Sequence, residues 1–173
     1  DQIRGKAGRF GQPPLSSIAE NSGPAALASP APSPYDARMS LTSAELSFAE
    51  IARTLDAVAA EAGAIAMRWF RPGEKTSART DYKHGGSPVT EADLAVDAFL
   101  AKRLQPLFPD AAWLSEETAD SDIRLSRETV IVVDPIDGTG NFARGEPHFA
   151  IMIALCWRNR VIAAWIDHPA TGD

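Results

Sequence analysis

The sequence predicts an α/β fold in which two helices pack on a mixed or antiparallel sheet. Apolar residues recur at helical spacing in two stretches, from Phe48 to Trp69 and from Leu94 to Leu104. Two short apolar runs, Ala111–Ser115 and Val130–Val133, each end in a polar segment carrying carboxylates. Two longer apolar runs, Phe149–Trp157 and Val161–Ile166, flank the polar turn Arg158-Asn159-Arg160 and read as a hairpin.

The chain has 173 residues, 45% of them hydrophobic, enough for a sizeable core. Its net charge of −6 offers no basic surface for nucleic acid or an anionic membrane, so the expected partners are small molecules or cations. The single cysteine, Cys156, lies in an apolar run and has no internal disulfide partner, which predicts a buried thiol in a reducing cytoplasm. No stretch approaches the roughly 20 apolar residues of a membrane span. The N-terminus also lacks the apolar core of a signal peptide, so the expected location is cytoplasmic, without a membrane.

Residues 1–38 are dominated by Gly, Pro, Ala and Ser, with Pro13, Pro14, Pro24, Pro30, Pro32 and Pro34 closely spaced. Without apolar periodicity nothing offsets the entropy of ordering them, so a disordered extension is expected, with the fold beginning near Met39. A first helix starts at Thr42-Ser43. Its stripe is Phe48, Ile51, Leu55, Val58, Ala62, Ile65 and Trp69, and Arg71-Pro72-Gly73 stops it. The polar stretch 74–88 predicts a short hairpin or a flap.

A second helix opens at Val89-Thr90-Glu91-Ala92-Asp93 and ends near Pro106, its apolar stripe being Leu94, Val96, Phe99, Leu100 and Leu104. Thr90 and Asp93 have the spacing of a capping box, with Asp standing for the usual Glu or Gln. Strand Ala111–Ser115 then leads to Glu116-Glu117, and a charged connection, 120–128, leads to the strand at Val130. Residues 143–147 read as a loop, and 167–173 as a turn.

Four acids arrive at the ends of elements: Asp93, Glu116, Asp134 and Asp137. Hard divalent cations such as Mg²⁺ are held by oxygen donors, commonly a few carboxylates with water and substrate phosphate. In Asp134-Pro-Ile-Asp-Gly-Thr139, Asp134 can bridge two metals, the Ile136 carbonyl can add a ligand, and Asp137 can serve the second metal. Gly138, Thr139 and Gly140 would let backbone N–H groups approach a phosphate at the start of a short helix.

The run Asp134-Pro-Ile-Asp-Gly-Thr-Gly-Asn-Phe142 resembles the signature of the inositol monophosphatase family, Mg²⁺-dependent and lithium-sensitive phosphatases. Ser115-Glu-Glu-Thr118 is similar to that family's acidic pair, and Pro88-Val-Thr-Glu-Ala-Asp93 to its Val-Thr-x-x-Asp element. The resemblance runs from about Leu46 to Asp173. It implies a layered α/β sandwich of the sugar-phosphatase type and hydrolysis of a small-molecule phosphate monoester by activated water, with two or three Mg²⁺ ions in the complete enzyme.

Position by position, it implies Glu116, Asp134, the Ile136 carbonyl and Asp137 as metal ligands. Asp93 and Thr139 would activate water, Thr139 as a hydroxyl relay and Asp93 as its acceptor. Phosphate would meet Gly138 and Thr139 beside Glu116, Ile136 and Asp137, with Lys83, Thr90 and Glu117 in support. The family's further aspartate, in a Trp-Asp-x-Ala element, has no counterpart. Trp165-Ile166-Asp167 lacks the small-residue helix start that should follow, so Asp167 is expected to be a turn residue. The resemblance therefore implies the N-terminal portion of a larger enzyme, with an impaired site, uncovered apolar strand surface and a possible homodimer.

Among substrates, Gly-Thr-Gly-Asn-Phe favours inositol-phosphate-like esters. Gly86-Ser-Pro-Val-Thr-Glu-Ala-Asp93 instead resembles bacterial 3′(2′),5′-bisphosphate nucleotidases, and histidinol phosphate also stays open. Two other readings compete. An aspartyl-phosphate phosphatase needs acids two apart, and here they are three apart. A non-catalytic cation- or phosphate-binding module would need no turnover.

Overall fold

The structure, a computed structural model, describes residues 48–83 and 85–172, the side chain of Phe48 excepted. The expected extension at 1–38, the start at Met39 and the helix start at Thr42-Ser43 lie outside them.

Helix α1 spans Phe48–Ala66 and buries Ile51, Leu55, Val58, Ala59, Ala62 and Ala66, while Ile65 and Trp69 pack at the margin of the core. From Ile51 onward the stripe follows the predicted spacing, but the helix ends at Ala66 and not at Arg71-Pro72. Its last turn tightens into i→i+3 bonds, Arg68 N–H to Ile65 O (3.2 Å) and Trp69 N–H to Ala66 O (3.1 Å). Thr76 and Ser77 then hold the Trp69 carbonyl, the first through its hydroxyl at 2.9 Å, so the chain turns back before proline is reached.

Strands β1 (Thr80–Tyr82) and β2 (Pro88–Thr90) form the antiparallel hairpin expected between 74 and 88. Helix α2, Glu91–Leu104, follows directly. Thr90 caps it as predicted: its hydroxyl accepts from Ala92 N–H and Asp93 N–H, and Asp93 Oδ2 accepts from Thr90 N–H at 2.8 Å. Such a cap contributes about 1 kcal/mol.

The buried face of α2 is Ala92, Asp93, Val96, Asp97, Leu100 and Leu104, and Leu94 is 50% exposed. Leu94 thus departs from the expected stripe. The i,i+4 ladder through Ala92, Val96, Leu100 and Leu104 takes the core, which leaves Leu94 on the solvent side.

Strand β3 (Ala112–Ser115) pairs in parallel with β4 (Thr129–Asp137), and a 3₁₀ turn at Asp122–Ser126 lies in the charged connection between them. Strands β5 (Ala150–Trp157) and β6 (Arg160–Asp167) complete a mixed sheet in the order β3-β4-β5-β6, with β4–β5 and β5–β6 antiparallel. The hairpin turn places Arg158 at φ 47° and Asn159 at φ 62°, the left-handed pair that suits a two-residue connection. Asp167 closes β6 opposite Ile151, so it is a strand-end residue and not part of the turn. Cys156 is half-buried, and burial raises its thiol pKa.

Helices α1 and α2 pack on each other and on the sheet face carrying Ile131, Val133, Ile151, Ile153 and Leu155. No helix among the described residues is long and apolar enough to cross a membrane.

The feature that positions the site is in β4. The sequence predicts a strand over 130–133 that runs into a turn, yet pairing continues to Asp137. Asp134 lies opposite Met152 and Asp137 opposite Ala150, so Pro135 and Ile136 together face the single residue Ile151. This is a one-residue β-bulge, at a proline that has no N–H to give to the ladder. Pro135, Ile136 and Ile151 are all buried. In a regular strand, residues three apart point to opposite faces. The bulge resets the phase and turns Asp134 and Asp137 to the same face.

Candidate metal and phosphate site

Beyond the bulge, Gly138 at φ +84° starts the short helix α3, Thr139–Arg144, and a Cβ there would lie 2.8 Å from His148 O. Left-handed geometry and close backbone approach together call for glycine. The helix replaces the start of the loop expected at 143–147. Its C-cap, Gly145 at φ +75°, turns the chain out. Phe142 anchors it: fully buried, the ring lies 5.8 Å from Phe70 and 5.1 Å from Phe149, centroid to centroid.

The N-terminus of α2 and the start of α3 meet. Thr139 Oγ1 lies 3.1 Å from Asp93 Oδ1 and 3.0 Å from Ile136 O, and its one proton can go to either acceptor. Asp93 is 0% exposed. Its other oxygen accepts from the Thr90 hydroxyl at 2.6 Å and from the Thr90 N–H. Burial raises its pKa, and the bonds from Thr90 and Thr139 oppose the rise. One carboxylate therefore caps α2 and faces Thr139.

Asp134 carries the strongest perturbation. Burial first, then the negative charges of Glu116 and Asp137, a side-chain hydrogen bond with Glu116 and the charge of Asp93 push its pKa up to about 7. Its Oδ1 is buried with no hydrogen-bond partner. A buried acceptor left unpaired among like charges costs free energy unless a cation or a proton supplies the missing partner.

Across from it, the flap hairpin delivers Lys83. Its Nζ bonds Glu116 Oε1 at 2.9 Å and Glu117 Oε1 at 3.0 Å. Burial lowers the lysine pKa, but the two carboxylates outweigh it and the net shift is upward. On Glu117, whose side chain is 4% exposed, burial outweighs the pairing and raises the pKa.

The predicted residues are thus brought together in two groups, Asp93–Thr139–Ile136 and Lys83–Glu116–Glu117, with Asp134 and Asp137 beside them. Among the described residues, no three His, Cys, Asp or Glu side chains converge into a cage that could hold an ion. A cation there would need donors beyond these side chains. Mg²⁺ is suited to that, being held through one or two carboxylates plus waters and substrate phosphate. The oxygen-only donor set and the orphaned Asp134 Oδ1 fit such a hard cation.

Sequence reasoning missed Asp97. It is 7% exposed, and its Oδ1 accepts the Ser115 hydroxyl at 2.5 Å. A signal was available, because Asp97 lies four residues after Asp93 and hence on the same helix face.

Residues 48–173 match the model of the inositol monophosphatase family. The 3′(2′),5′-bisphosphate nucleotidase CysQ of Haemophilus influenzae is 35% identical over 91 residues, 51% of this chain and 34% of that protein. Inositol monophosphatase 2 of Solanum lycopersicum is 31% identical over 115 residues, 65% of this chain and 43% of that protein. Among solved structures, the extragenic suppressor protein suhB of Bartonella henselae superposes with a TM-score of 0.63 at 28% identity, covering 70% of this chain and 46% of that one. The chain spans less than half the length of these relatives.

Proposed function

The chain belongs to the inositol monophosphatase family, and on that premise we propose that it supplies the metal and phosphate cradle for Mg²⁺-dependent hydrolysis of a small-molecule phosphate monoester. The observation that carries this reading is the buried, unpartnered Asp134 Oδ1 among Glu116, Asp137 and Asp93. Asp134, Asp137, Glu116 and the Ile136 carbonyl would be divided between Mg²⁺ ions, each ion taking one or two carboxylates and completing its shell with water and substrate phosphate. When bound, Mg²⁺ supplies Lewis acidity and makes water a competent nucleophile near neutral pH. Thr139 passes a proton from the attacking water towards Asp93 Oδ1, the acceptor 3.1 Å away. The first N–H groups of α3 have no acceptor within the helix and would be free to meet the phosphate. Lys83 and Glu117 hold the flap over the acids.

Inositol-phosphate-like esters are the favoured substrates. The resemblance of Gly86–Asp93 to nucleotidases, together with the CysQ match, keeps 3′-phosphoadenosine phosphate as a second reading. Phosphate release should be measured from inositol 1-phosphate, 3′-phosphoadenosine 5′-phosphate and histidinol phosphate, with and without Mg²⁺. The expected result is weak Mg²⁺-dependent turnover, fastest on the inositol ester, in keeping with a chain that covers less than half of its relatives' length. Metal binding without turnover of any ester would leave a cation-binding module.

A pH dependence follows from Asp134. Its folded pKa, about 7, lies above the unfolded value of 3.8. The folded state therefore keeps a proton that the unfolded chain releases. This group's contribution to metal-free stability is intact below about pH 4 and is lost as pH rises through 7. Mg²⁺ must displace that proton, so apparent affinity should fall about tenfold between pH 8 and pH 6. Calorimetric titrations at the two pH values check this, and equal affinities would remove Asp134 from the metal site.

A further inference from the structure

Asp97 has a use that the proposed chemistry does not account for. It is 7% exposed and, among the described residues, pairs with no Lys, Arg or His. Burying a carboxylate without a cation is expensive, and joining α2 to β3 would need only an apolar contact. Its partner is the hydroxyl of Ser115, the last residue of β3, at 2.5 Å. Ser115 Oγ in turn accepts the Glu117 N–H at 3.1 Å.

Ser115 donates its hydroxyl proton to Asp97 Oδ1, the direction that an ionised carboxylate, an acceptor only, requires. The hydroxyl lone pairs are then left for Glu117 N–H, and the turn carrying Glu116 and Glu117 closes on that bond. Helix α2 thus reaches the site twice from one face: Asp93 at its first turn meets Thr139, and Asp97 one turn later meets the acidic pair through Ser115.

We infer that Asp97 is a positioning residue which, through Ser115, fixes the backbone turn that presents Glu116 and Glu117. The inference rests on the reading of Glu116 as a metal ligand. Residues that orient metal ligands are typically worth about 10–100-fold in metal affinity.

The test uses the full chain and the variants Asp97→Ala, Asp97→Asn, Ser115→Ala and the double Asp97→Ala/Ser115→Ala. Amide hydrogen exchange of Glu117 and binding of Mn²⁺, followed by electron paramagnetic resonance, are measured on each. Asp97→Ala should speed Glu117 exchange and weaken Mn²⁺ binding, each about tenfold. Asp97→Asn keeps an acceptor oxygen and should stay within about twofold of the parent. Ser115→Ala should match Asp97→Ala, and the double variant should be no worse than either.

A purely structural tie would lower thermal stability while leaving Glu117 exchange and Mn²⁺ binding near parental values, and that result overturns the inference. Effects that multiply in the double variant also overturn it. If Asp97→Ala does not fold, Ser115→Ala breaks the same relay and decides the matter. A parent chain that binds no Mn²⁺ overturns the metal reading, whereas unchanged Glu117 exchange in the variants overturns the relay itself.

Discussion

Asp134→Asn, made in the full-length protein, is expected to reduce Mg²⁺-dependent phosphate release by about a thousandfold, the loss of several kcal/mol of charge stabilisation. The same change should leave the metal-free protein as stable as before, or more stable. The carboxylate is destabilised by burial and by Glu116 and Asp137, and its Oδ1 has no partner to lose. A neutral amide of the same shape relieves that repulsion. Phosphate release and thermal unfolding in a chelator should therefore move in opposite directions, which a general folding defect cannot produce. Retained activity would exclude Asp134 from the site.

Gly145→Ala should cause the largest loss of stability. At φ +75° a side chain is already strained. An added Cβ would also overlap the carbonyl oxygens of Arg71 and Glu74 and lie 2.6 Å from Glu74 N. All of these are backbone atoms of the turn that follows α1, and Gly73 N–H bonds Gly145 O at 2.9 Å, so neither side can withdraw alone. A cost of about 3 kcal/mol or more is expected, against a total stability of roughly 5–15 kcal/mol. Gly73→Ala is the matched control: its φ is +72°, but nothing lies within 4 Å, so only about 1 kcal/mol should be lost. Urea unfolding of both variants separates crowding from conformational strain, and equal losses would dismiss the crowding argument.

Local patterns were legible in the chain. The α1 stripe, the Thr90–Asp93 cap and the β5–β6 hairpin each depend on residues a few positions apart, and the structure has all three. What depended on distant partners was not. The end of α1 at Ala66 is set by Thr76 and Ser77 taking the Trp69 carbonyl, which no spacing rule anticipates. The parallel pairing of β3 with β4 is made across a long connection. Pro135 reads as a turn signal because proline normally ends ladders, whereas here a bulge absorbs it. The acids of the candidate site could be named from motifs, but the Asp97–Ser115 link joins two elements and needed coordinates. Lys83 lies in a flap of weak pattern, and its bridge to both glutamates is likewise a long-range contact.

The bulge in β4 also gives the strand something like a reading frame. A regular strand is read in twos, and Asp134 and Asp137 are out of step in that reading. The extra residue at Pro135–Ile136 shifts the frame once, so that everything after it, Asp137 and then Gly138 and α3, is delivered in the new frame. Substitutions at 135 or 136 change what packs against Ile151. A change in residue count there is a different event: removing one position would return Asp137 to the helix-covered face while Asp134 stayed in place. The two acids would then lie on opposite sides of the sheet, with no side chain altered. In this stretch the number of residues matters to the site as much as their identity.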